Sequence, residues 1–189
     1  MATKYRGKSI FEHCLTSRNI GTANAGVYAV EYGDAHCHTT KLTVNAVNSL
    51  TVADSAAICD GYLLYTFPAG DLVVDWTYMS MAVTVGSPQL VNDTPDVGIG
   101  TVIGTGAVAT LDGTATFEDL ITGQTANDAN GTAEVASLIP TAGAAFVILA
   151  AAAHTVHFNV ADTWANDTSG DLTADIAGHV IIQWRHMGA

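Results

Sequence analysis

The densest group of chemistry-bearing side chains is Asp34-Ala35-His36-Cys37-His38. Two imidazoles two positions apart share one face of a strand, with the thiol between them on the other. A transition metal accepts such a pair when a third ligand completes the set, and His13 or His179 would have to supply it. One tight pair without a placed partner is not a site. The competing expectation is a pair of exposed histidines at a turn. The prediction is therefore no metal and no cofactor.

Other reactive types are scattered in ways that defeat cooperation. His154 and His157 are three apart and cannot share a strand face. Cys14 follows His13 directly, and adjacent residues rarely meet in the geometry of a thiolate–imidazole pair. Glu118 and Asp119 point to opposite faces of a strand, which makes them poor partners in acid–base work. The loops NDTPD (92–96), NDANG (127–131) and NDTSGD (166–171) present oxygen ligands that calcium accepts, but none has the spacing of an EF-hand. Asn-Asp pairs also start turns by bonding their own backbone. GIGTVIGTG (98–106) has the glycines of a phosphate loop without GK[ST] and without a following helix. GxSxG, HExxH and CxxC are absent. The chain is expected not to be an enzyme. Trp76, Tyr78, Trp164 and Trp184 raise a last possibility, an aromatic platform for sugars, against the commoner core or interface role of large rings on strands.

The elements that would carry these residues read as strands. GVYAVEY (26–32), HTTKLTV (38–44), YLLYTF (62–67), LVVDWTYMSMAVTV (72–85), VGIGTVIGTGAVAT (97–110), ATFEDLI (115–121), TAEVASLI (132–139), AAFVILAA (144–151), HTVHFNV (154–160) and IAGHVIIQW (176–184) are rich in β-branched and aromatic residues. Turn residues separate them, as in Pro68-Ala69-Gly70. Residues 45–62 are ambiguous between short strands and a helical turn around Asp54–Ile58. Strands at this spacing predict an all-β sandwich or barrel. Residues 1–24 are polar and irregular and read as an N-terminal arm, leaving 25–189 as one β domain.

Charge divides along the same boundary. The whole chain has 6 Lys and Arg against 18 Asp and Glu, a net charge of −12. Lys4, Arg6, Lys8 and Arg18 face only Glu12 in the first eighteen positions, a net of +3. The remainder holds 17 acids against Lys41 and Arg185, a net of −15. A cationic arm on an anionic body can dock on an acidic surface while the body stays soluble. The body argues against nucleic acid as a partner, which needs Lys and Arg stripes to displace counterions. The longest apolar run, AAFVILAAAA (144–153), is half a membrane span, so no membrane partner is expected.

The apolar share is 49%, but much of it is Ala and Val, with aromatics at 7%. Such a thin core predicts additional burial between subunits, with Trp76, Tyr78, Met79 and Met81 as candidates for a shared seam. The odd cysteine count of 3 (Cys14, Cys37, Cys59) suits buried thiols made in a reducing cytoplasm. The N-terminus lacks the apolar stretch of a signal peptide.

YTFPAGDLVVDWTYMSMAVTV, DTPDVGIGTVIGTGAVATL, TFEDLITGQTANDANGTAEV, HTVHFNVADTWA and the closing IAGHVIIQWRHM together resemble virion structural proteins of tailed bacteriophages over about residues 60–187. The resemblance implies a capsid cement or decoration protein with a sandwich or jelly-roll body. It implies a homotrimer that binds the major capsid protein on the outside of the head, with the arm as the docking element. A head fibre, tail component or glycan-binding receptor tip is the alternative. The resemblance carries no individual functional residue over to this sequence.

Overall fold

In the strand that begins at Cys37, His38, Thr40, Leu42 and Val44 are buried while Thr39, Lys41 and Thr43 are only half-buried. That period of two is what one packed sheet face demands. The strands that begin at Leu72 and Leu172 repeat it along most of their length. The computed structural model describes residues 21–33, 37–53, 56–85, 93–112, 116–126, 134–138, 146–148, 154–165 and 172–187. The docking candidates Lys4, Arg6, Lys8 and Arg18 lie outside the described residues, as do His13, Cys14, Asp34 and His36.

The strands are β1 (Thr22–Ala23), β2 (Val27–Gly33), β3 (Cys37–Val52), β4 (Ile58–Thr66), β5 (Leu72–Thr84), β6 (Asp96–Gly100), β7 (Ile121–Thr125), β8 (Glu134–Leu138), β9 (Phe146–Ile148), β10 (Thr155–Asp162) and β11 (Leu172–His186). No helix occurs among the described residues. Sheet A has the order β1-β4-β10-β6-β7, and sheet B the order β2-β3-β11-β5-β8, with β9 also on β5. Every pairing is antiparallel.

The pairings nest. β3 pairs β11, β4 pairs β10, β5 pairs β8, and β6 pairs β7. The chain is thus one long hairpin folded over so that its successive rungs alternate between two sheets. That arrangement is a jelly roll, a double-sheet sandwich. Thr22 and Ala23, which composition assigns to the arm, add a short edge strand beside Thr66 and Tyr65.

The core lies between the sheets. Sheet A contributes Leu64, Tyr65, Val97, Ile99, Val156 and Phe158, and sheet B contributes Leu42, Met79, Met81, Ile176, Val180 and Trp184. Each fully buried aliphatic or aromatic side chain of this kind contributes about 1.5–3 kcal/mol. A second, smaller core covers the outer side of sheet A, where Cys59, Leu111 and Ala161 pack with Val108 and Phe117. β10 is consequently buried on both faces, which explains how His157 and Asn159 come to be interior residues.

Gly178 and Gly104 are two of the positions where a side chain would not fit. Gly178 has φ 139° at a register shift between β11 and β3, and a Cβ there would strike the Ser80 carbonyl. Gly104 sits so close over β10 that a Cβ would strike the Cys59 sulfur. A side chain at Gly178 would need backbone movement, and one at Gly104 would have to displace the Cys59 side chain.

Candidate interaction face

Of the candidate metal ligands, the described residues His38, Cys37 and His179 do not come together. His38 is 1% exposed, contrary to the expectation of a turn histidine in solvent. Strand alternation turns it inward with Thr40 and Leu42, and its ring stacks on Trp184 at 4.1 Å. Cys37 is exposed on the opposite face. His179 also faces outward, where its Nδ1 lies 3.2 Å from Thr43 Oγ1. His38 and His179 therefore occupy opposite faces of sheet B. Among the described residues, no three His, Cys, Asp or Glu side chains come together as metal ligands.

His38 belongs instead to a polar tie between the sheets. Its Nδ1 lies 3.7 Å from Glu31 Oε2, with both side chains almost fully buried. Glu31 reaches from β2 to sheet A, where its other oxygen accepts from the Tyr65 hydroxyl and from Gly21 N–H. Burial, reinforced by the Glu31 carboxylate, drives the Tyr65 phenol to a much higher pKa than usual. Trp184 Nε1 donates to Thr40 Oγ1 at 2.9 Å. The cluster is sealed inside the sandwich, so it fastens sheets rather than meeting a substrate.

The acids elsewhere are similarly occupied with the backbone. Asp60 accepts from Thr51 N–H at 2.7 Å and Gly61 N–H at 2.8 Å. Asp96, in one of the proposed calcium loops, accepts from Leu111 N–H at 3.2 Å and Thr125 Oγ1 at 2.9 Å. Glu118 accepts from Gly123 N–H. Asp119 accepts from Thr101 N–H at 2.8 Å and Thr101 Oγ1 at 2.6 Å. Burial still raises the Asp119 pKa, with the Thr101 bonds opposing that rise. Loops 127–131 and 166–171 lie outside the described residues apart from their neighbours.

The glycine-rich segment is not a phosphate cradle. Asn159 Oδ1 accepts from Gly104 N–H at 2.7 Å, and its Nδ2 donates to Val102 O at 3.0 Å and Phe117 O at 2.6 Å. One buried amide thus pins the segment to β10. Beneath it, burial pushes the Cys59 thiol up to about 11, aided by the Asp60 and Glu118 charges.

The aromatic candidates divide by strand parity. Trp164 and Trp184 are 1% and 0% exposed, so the four-ring sugar platform does not assemble. Met79 and Met81 are 0% and 1% exposed and pack in the inter-sheet core. Their burial is supplied by sheet A of the same chain, which removes them from any seam between subunits. Trp76 and Tyr78 alternate with them and lie on the outer face of sheet B, with Trp76 37% exposed.

Register builds that outer face from four strands. One row across β2, β3, β11 and β5 is Tyr32, Thr39, Gln183 and Trp76. The next is Val30, Lys41, Ile181 and Tyr78, and the third is Tyr28, Thr43, His179 and Ser80. Tyr28 is 64% exposed and Tyr32 38%. None of these twelve positions is Asp or Glu. At the upper margin Asp75 sits in a bulge of β5 and takes Arg185 through both Nε and Nη2, at 2.8 Å and 2.7 Å. Lys41 and Arg185, the body's two cationic residues, thus both occupy this face. Within the plane, Trp76 Nε1 donates to the Gln183 side-chain oxygen.

Sequence reasoning found Trp76 and Tyr78 but missed Tyr28, Tyr32, Lys41 and Ile181 as their neighbours. Alternation in GVYAVEY and HTTKLTV assigns each residue a face, but only strand order shows which segments lie side by side. Comparison with protein families, with characterised proteins and with solved structures finds no match to this chain.

Proposed function

We propose that this protein is a non-catalytic structural subunit that attaches to the outside of a tailed-phage head and cements it. The observation that carries this reading is the aromatic outer face of sheet B, whose twelve central positions hold no acid and which is flanked by Asp75, paired with Arg185, and by Asp175, on an otherwise strongly acidic body. Exposed contiguous apolar surface on a soluble domain marks a contact site. The jelly roll is consistent with the reading, since viral shell proteins use that fold, although lectins and cupins do as well. The internal employment of Glu31, Asp60, Asp96, Glu118 and Asp119 also supports a framework role, because each carboxylate holds protein groups. The cationic residues Lys4, Arg6, Lys8 and Arg18 would guide attachment to an acidic shell of major capsid protein.

The test is co-sedimentation with purified heads lacking this protein. The full chain is expected to pellet with heads at low salt and less so at high salt, because exposed charge pairs are screened over about 8–10 Å. Replacing Lys4, Arg6, Lys8 and Arg18 with Glu is expected to abolish pelleting. Undiminished pelleting of that variant would contradict the docking role of the arm.

A further inference from the structure

We propose that the layer over the outer side of sheet A, residues 101–112 and 116–120, opens when the imidazole of His157 beneath it takes up a proton. Side chains alternate along β10, so Val156 and Phe158 enter the inter-sheet core while His157, Asn159 and Ala161 face this layer. The partner of His157 on β6 is Gly100, and a Cβ there would strike the backbone of Thr116 and Phe117. The layer therefore rests directly on the row that holds the imidazole.

The hydrogen bonds around the ring leave room for one proton only. Thr155 Oγ1 donates to Thr101 O at 3.1 Å, so its oxygen accepts from His157 Nε2, 2.9 Å away. Nε2 is consequently the ring nitrogen that carries hydrogen. Nδ1 is buried and has no hydrogen-bond partner among the described residues. A second proton would make it an N–H with nothing to receive it, on a charged ring cut off from water. Burial holds the ring below the ordinary imidazole pKa, in keeping with that geometry. Opening the layer gives Nδ1 access to water, so the charged ring belongs to the open form.

The layer is also the part most able to give way. Its core is small, with Leu111, Val108 and Phe117 set against Cys59 and Ala161. Thr116, a β-branched residue, is held at φ 74°, a strained conformation that opening relieves. Polar attachments hold the layer down: Asn159 to Gly104, Val102 and Phe117, Cys59 N–H to Gly106 O, and Thr155 to Thr101. The titratable groups on this side are Cys59 and Asp60 of β4, Asp96 at the far end of β6, and Glu118 and Asp119 of the layer itself. Asp119 bonds Thr101, and burial raises its pKa, so its protonation favours the closed form and opposes His157 as the pH falls.

Amide hydrogen exchange of the full chain, resolved by NMR and corrected for the intrinsic rate at each pH, tests the proposal. Opening exposes the Gly104 and Cys59 amides, which bond to Asn159 Oδ1 and Gly106 O. Their protection is expected to fall about tenfold from about pH 7.5 to 5.5, the change given by one imidazole of ordinary pKa that is protonated only in the open form. Their exchange is expected to ignore low concentrations of urea, unlike that of amides in the central strand β11, because a local opening exposes little surface. His157→Gln keeps an N–H for Thr155 without titrating and is expected to abolish the pH dependence. The wild-type ring gives a readout that needs no substitution: its nitrogen shifts are expected to show hydrogen on Nε2 at about pH 7.5 and a midpoint below about 6.5. Hydrogen on Nδ1, or a midpoint at or above the ordinary value, overturns the proposal. So does protection that is equal at both pH values, that falls as much in His157→Gln, or that responds to urea as β11 does.

Discussion

At the scale of single residues, the polar side chains of this protein are fasteners. His157 shows how such a role becomes measurable. It lies 8% exposed on β10, with Nε2 2.9 Å from Thr155 Oγ1. Burial holds its pKa below the ordinary imidazole value, so the folded protein prefers the neutral ring. The folded state then binds fewer protons than the unfolded chain once the pH falls below about 6.5. The stability due to neutral His157 is complete above that pH and is lost as the pH falls toward the folded-state value. Urea unfolding is therefore expected to show a decline in stability between about pH 7.5 and 5.5 that is shallower in His157→Gln. Asp119 and Asp162 have raised pKa values through burial and act in the opposite direction. Comparing the two proteins at each pH removes their contribution. Equal slopes in both proteins would refute the role given to His157.

At the scale of elements, one side chain governs the covering segment of sheet A. Asn159→Ala would leave Gly104 N–H, Val102 O and Phe117 O without their bonds, the first buried and the other two partly buried. Each unsatisfied buried group costs about 1–3 kcal/mol. The expected loss of stability is about 3 kcal/mol by urea unfolding, with faster proteolysis between Gly100 and Leu111. A loss below about 0.5 kcal/mol would mean that the segment is held by packing alone. The same segment marks the limit of what the sequence makes legible. Alternating runs at 26–32, 38–44, 72–85 and 176–184 fall on β2, β3, β5 and β11, because one buried face imposes a period of two, while the run at 154–160 falls on β10, which is buried on both faces. The run at 97–110 reads as a single strand, yet pairing stops at Gly100, and Asn159 from a distant part of the chain takes over its polar groups. Residues 116–120 do not form the expected strand for a related reason: Glu118 accepts from Gly123 N–H of β7 and Asp119 from Thr101, so both carboxylates hold backbone or side-chain groups rather than lining a strand. The ambiguous stretch 45–62 resolves into the end of β3 and the start of β4. The face that joins Tyr28 to Trp76 depends on strand order, which no local pattern encodes.

At the scale of the whole molecule, acidity and contact surface are segregated. Sheet B presents an outer face whose middle rows are rings, threonines and Lys41, with Asp75 paired to Arg185 at one margin and Asp175 toward the other. On the proposed reading, this face and the four cations of residues 1–18 serve separate contacts, the cations meeting an acidic surface. A density map of the intact particle with this protein in place tests that division most directly. The account predicts residues 1–18 against the head surface and Tyr28, Trp76 and Tyr78 covered at a contact. Those three rings facing open solvent, with the acidic exterior making the contacts instead, would contradict it.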